Sequence, residues 1–155
     1  MKAIEVANYI IGYCNRNNVN DCSPKKLQKL LWYIYVWYLI YTGEKLMKEK
    51  IFAWLHGPVI AEVYGKYKDY GYNTIPFEEE YKKEYDEKFT DEQKEIMSGI
   101  LDAYSSFTAD ELEEKTHKEK PWIEARMRED NEILDEDIVN FYSEVFEDSL
   151  NGQKL

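Results

Sequence analysis

Histidine and cysteine are scarce in this 155-residue chain, which has two of each. His56 and His117 stand 61 positions apart, and neither belongs to a His-x-x-x-His or Cys-x-x-Cys arrangement, so the usual zinc spacings are absent. No Gly-rich phosphate loop and no Gly-x-Ser-x-Gly elbow occurs. With seven glycines and four prolines the composition is neither fibrous nor linker-like. The start, Met1-Lys2-Ala3, leads into an amphipathic segment without an apolar signal region, which points to the cytoplasm. Cys14 and Cys22 are then expected as reduced thiols. The longest apolar run, Leu30 to Ile40, is shorter than the roughly 20 residues of a membrane span.

What the chain has in quantity is aromatic and acidic residues: 14 Tyr, 4 Trp and 31 Asp plus Glu, for a net charge of −11. The charge is unevenly spread. Residues 1–76 balance at +4 and residues 77–155 at −15. This has two readings: the two halves attract each other within one domain, or the acidic one offers a negative face to a basic partner. Phosphate backbones are repelled by it, so no direct nucleic-acid binding is expected.

Ser23 to Gly43 organises the rest. Ser23 suits an N-cap, Pro24 the first helical position and Gly43 the stop. The polar stripe of a surface helix vanishes after Lys29, so this helix must be wrapped by protein on all sides. Around it the spacing predicts a helix over 2–16 and a short strand at Ile51 to Leu55. Pro58 is read as opening a third helix to Tyr70, stopped by Gly71. Asn73 to Phe77 is the candidate second strand, pairing with the first in a two-stranded ribbon. An acidic connection follows near residues 78–89. Thr90 and Thr108 open capping boxes with Gln93 and Glu111. Pro121 starts a short helix, and Asp135 begins the last one, to about residue 148. The predicted fold is a mainly α, compact bundle of six or seven helices around a buried central helix, in one domain over 1–155.

Candidate chemistry is thin. A Cys–His nucleophile pair lacks a local signature, and the carboxylate pairs Glu113-Glu114 and Glu136-Asp137 read as solvated faces. Lys25, Lys26 and Lys29 are more informative, because cations in the first turn of a helix oppose its macrodipole. They face water, the acidic half, or an anionic partner. Tyr33, Trp37, Trp54 and Tyr64 read either as core or as binding hot spots.

Three blocks then carry a resemblance. They are Leu27-Gln28-Lys29-Leu30-Leu31-Trp32-Tyr33 with Trp37-Tyr38 and Thr42-Gly43; Ala53-Trp54, His56-Gly57-Pro58-Val59 and Val63-Tyr64; and Thr116 to Trp122 with Ala125-Arg126. In this order they resemble the Panacea-domain family of antitoxins and phage-associated proteins. The resemblance implies a bacterial or prophage antitoxin that binds a cognate toxin, with no catalytic residue, cofactor or metal. Some relatives of this kind hand the toxin to an AAA+ protease such as ClpXP, the alternative reading. An enzyme using His56 or His117 is the third. Lys25, Lys29, Trp54, His56, Gly57, Pro58, His117, Trp122 and Arg126 are the candidate partner-binding residues, with His56-Gly57-Pro58 as a rigid turn beside Trp54. Trp122 and Arg126 lie one helical turn apart, which lets the guanidinium approach the indole.

Overall fold

A computed structural model describes residues 1–79 and 87–152. Most of the acidic connection expected near 78–89 lies outside the described residues. The elements are α1 (Ala3–Arg16), α2 (Pro24–Thr42), β1 (Phe52–Trp54), β2 (Gly57–Val59), α3 (Ala61–Tyr67), a 3-10 turn (Lys68–Tyr70), α4 (Asp91–Tyr104), α5 (Ala109–His117), α6 (Lys120–Arg126) and α7 (Asp135–Gly152). Among the described residues, seven helices and one small antiparallel ribbon make this a mainly α bundle.

The central helix forms where its punctuation places it. Ser23 Oγ accepts from the Lys26 amide, Pro24 sits in the first turn, and Gly43 ends the helix at φ 75°. Every residue from Leu30 to Leu39 is buried. Around α2 pack α1, α3, α4, α5, α7 and β2, so the apolar rod is enclosed by protein as its sequence requires. Both capping boxes are made, at the heads of α4 and α5. Cys14 and Cys22 are buried free thiols. No helix among the described residues is long and apolar enough to cross a membrane.

Three features differ from the sequence-based expectation. Burial of α2 begins at Pro24 rather than at Leu30, and it takes in Lys26, Gln28 and Lys29. Lys26 Nζ reaches Asp21 Oδ1 at 2.6 Å and the Ser105 carbonyl at 2.7 Å. Gln28 forms a reciprocal pair with Ile60, its Oε1 accepting from the Ile60 amide at 3.0 Å and its Nε2 donating to the Ile60 carbonyl at 3.1 Å. One polar residue inside the rod thereby ties the ribbon's exit to it.

The ribbon also has a different second strand. Phe52–Trp54 pairs with Gly57–Val59, in register Phe52 to Val59 and Trp54 to Gly57. Leu55-His56 forms the two-residue loop, and Gly57 takes φ 115°, a conformation that side chains other than glycine's resist. Asn73 to Phe77 does not pair there; the Ile75 amide donates to the Cys22 carbonyl instead, at 2.9 Å. Pro58 therefore lies in β2, and α3 starts only at Ala61. A third segment supports the ribbon from its other edge. The Ala53 amide donates to Asn131 O at 2.8 Å and the Ile133 amide to Ile51 O at 2.9 Å. Three-residue strands are too weak alone, and this support makes them viable.

Candidate functional site

The ribbon's loop projects between α3, α5 and α6, and the candidate residues gather around it. From α6, Trp122 Nε1 donates to the Trp54 carbonyl at 3.0 Å and Arg126 Nη1 to the Ala53 carbonyl at 3.0 Å. Arg126 also lies over the Trp122 ring, 5.9 Å from its centroid. His117, at the end of α5, stacks on Trp122 at 4.0 Å, and its buried Nε2 has no hydrogen-bond partner among the described residues. On the other flank Trp54 meets Tyr64 edge to face at 5.0 Å. A pair of side-chain-to-carbonyl bonds thus fixes the backbone under Trp54, whose side chain stays partly exposed beside Tyr64.

The turn is tied to α5 and, through Glu113, to α2 by polar contacts. His56 Nδ1 lies 2.7 Å from Glu113 Oε1, and Lys25 Nζ lies 3.3 Å from that same oxygen and 2.7 Å from Asp110. Glu113 loses some solvation, but its bond to His56 and the Lys25 ammonium outweigh this and hold the carboxyl below its ordinary range. Burial opposes the charge on Lys25 too, and its bonds to Asp110 and Glu113 still raise its pKa. So Lys25 faces the acidic half. Glu113, which the sequence suggests is a solvated acid, joins the turn to α2.

Lys29 is placed otherwise. It is 1% exposed, and its ammonium donates to the Pro58 carbonyl at 3.3 Å. Burial pushes its pKa down to about 7, with Lys25 adding to the fall and Glu113 opposing it. A side-chain carbon on Gly57 would come within 2.4 Å of Lys29 Cε and 3.1 Å of Thr116 Oγ1. Gly57 and Pro58 are buried as well, so Lys29, Gly57 and Pro58 form the underside of the turn rather than its contact face.

That face is carried by Trp54, Leu55, His56, Tyr64, Trp122 and Arg126, with Leu55 at 65% exposure. Leu55, at the loop tip, is missed by motif reading because it is an ordinary apolar residue inside a strand-like run. Glu113 and Asp110 had a weak signal, two acids one turn apart in the half opposite Lys25. Of the aromatic residues with two readings, Tyr33 and Trp37 are core and Trp54 and Tyr64 are exposed. Tyr33 stacks on Tyr104 at 4.1 Å and donates to Glu119 at 2.5 Å. Burial raises the pKa of Glu119, while the Tyr33 hydroxyl works against that rise. Among the described residues no group of three or more His, Cys, Asp or Glu could hold a metal ion.

These features define a class: a small helical bundle in which an enclosed helix holds a rigid, aromatic-edged ribbon. The family described as "Antitoxin SocA-like, Panacea domain" matches residues 27–123, from the first turn of α2 into α6. The chain belongs to this antitoxin-like Panacea-domain family. No curated protein and no solved structure gives a match.

Proposed function

We propose that the chain neutralises a cognate toxin by binding it directly, without a cofactor, through the face around Trp54 and Leu55. The family gives the antitoxin role in general. The observation that carries the finer reading is the way this face is built. Trp54, Leu55 and Tyr64 are exposed, while the Trp54 and Ala53 carbonyls beneath them are held by Trp122 and Arg126. Aromatic anchors on a backbone already fixed lose little entropy on binding, the arrangement expected of a hot spot. His56, Lys25, Asp110 and Glu113 supply a polar rim of both signs.

The test is co-expression with the product of the neighbouring open reading frame, followed by calorimetric titration of the purified pair. Leu55→Asp and Trp54→Ala should each weaken binding about 30-fold and abolish protection, because truncating a central anchor costs on the order of 2 kcal/mol. Helical content should not change, since the Trp54 carbonyl and its bond survive both changes. Protection and affinity close to wild type would remove this face from the mechanism. A neighbouring product harmless on its own would remove the antitoxin reading altogether. Toxin lifetime separates the two modes of neutralisation. It stays constant if the toxin is simply occupied, and it shortens only with an active AAA+ protease if the toxin is delivered.

A further inference from the structure

At the opposite end of α2 a second surface has a different character. α4, α7 and the last turns of α2 enclose a groove of about 530 Å³, lined by Trp37, Tyr41, Ile96, Gly99, Val145 and Phe146 among others. Tyr41 is 52% exposed and Leu150, at the far end, 44%. Gly99 lies within α4, where glycine is less stable than alanine by about 0.5–1 kcal/mol, yet a methyl group there would meet nothing within 4 Å. Gly99 and Ala103, one turn apart and both exposed, keep this wall low enough for another backbone to approach.

The rim is anionic. α4 and α7 together carry ten carboxylates, four and six, against the single cation Lys94. Glu95 lines the groove itself, and among the described residues it, Glu92, Glu147 and Asp148 have no ion-pair partner. Glu147 and Asp148 fall in the last turns of α7, which contain no basic residue, so they also oppose the helix macrodipole. An apolar trough with Glu95 in its lining, between two helices of strong negative charge, selects its occupant. A second copy would set like charges against each other, and a small apolar molecule would leave the acids unpaired.

We infer that this groove docks an amphipathic helix of a partner protein, with a Leu-, Ile- or Phe-rich face in the trough and Lys or Arg along its flanks. The groove does not depend on the ribbon face. Lys25 and Tyr41 lie 16 residues apart on α2, roughly 24 Å along the axis at the helical rise. α7 also lies beyond the stretch matched to the family.

The experiment measures anisotropy of a labelled Leu/Lys amphipathic peptide of about 18 residues, helical on binding, with the full chain at physiological salt. Two comparators accompany it: a scrambled peptide of the same composition, and a Leu/Glu version with the same apolar face. The Leu/Lys helix should bind at least about tenfold more tightly than either. Gly99→Trp, which fills the trough, should weaken it about tenfold or more, Glu95→Lys should weaken it several-fold, and Leu55→Asp should not alter it. Gly99→Ala controls for the fold and should bind like the wild type. Equal binding of the scrambled peptide would reduce the effect to net charge and overturn the proposal. So would indifference to both Gly99→Trp and Glu95→Lys, or a dimer in sedimentation that Gly99→Trp dissolves.

Discussion

Gly57→Ala is expected to lower stability by about 2–4 kcal/mol, from backbone strain plus crowding. Two penalties meet at this residue. Its φ of 115° is disfavoured for any L side chain, and the new methyl would press on the buried Lys29 Cε at 2.4 Å. Gly43→Ala supplies the comparison, because Gly43 also has positive φ, 75°, but has nothing within 4 Å of an added methyl. That variant should lose only about 1–2 kcal/mol, the strain alone. Urea denaturation of the two side by side separates strain from crowding. Equal midpoints would mean that Lys29 does not support the turn. A lower midpoint for Gly57→Ala, together with weakened toxin binding, would tie the shape of the turn to the face above it.

The second large effect belongs to Lys29 itself. Its folded pKa is pushed down to about 7, whereas a lysine in the unfolded chain titrates near 10.4. Between these values the unfolded state holds the proton and the folded state has released it, so stability rises with pH across that window. Below about pH 7 both states are protonated, and the folded protein bears the full cost of a buried charge. From pH 7 to pH 9 the wild type should therefore gain on the order of 2–3 kcal/mol relative to Lys29→Met. Glu113 and Lys25, which face Lys29, remain in both proteins, as do the buried thiols, and their titrations cancel to first order in the difference. The same substitution should raise stability at pH 6, because a chain of similar volume replaces a desolvated ammonium. Chemical denaturation of both proteins at pH 6, 7, 8 and 9 checks this, and parallel curves would show that Lys29 is not held nearly neutral.

How legible the molecule is in its sequence depends on how local the deciding interactions are. The limits of α2 are written in Ser23, Pro24 and Gly43, and the heads of α4 and α5 in Thr90 and Thr108, because caps act within one turn. The ribbon is less legible. Three residues carry no period, so β1 gives no local clue to its partner. The choice of Gly57–Val59 depends on distant groups: Asn131 and Ile133 on the far edge, Trp122 and Arg126 on the carbonyls, and Gln28 on Ile60. Pro58 has the same propensity at a helix start as at a strand edge, and only those contacts decide. Burial of Lys26 and Lys29 runs against the ordinary behaviour of charged residues. It requires carbonyls at Ser105 and Pro58 that no local pattern announces. The candidate site follows the same division. Its motif residues lie together around the turn, but which ones reach solvent and which lie beneath becomes visible only once the ribbon is in place.

Hydrogen–deuterium exchange of the chain alone and bound to a toxin tests whether an enclosed helix holds a rigid edge that the toxin covers. In the free chain the amides of Leu30 to Leu39 should exchange most slowly, at rates set by global unfolding. Toxin should add protection at residues 53–57 and 119–127. Fast exchange within α2, or protection that leaves the ribbon and α6 untouched, would contradict it.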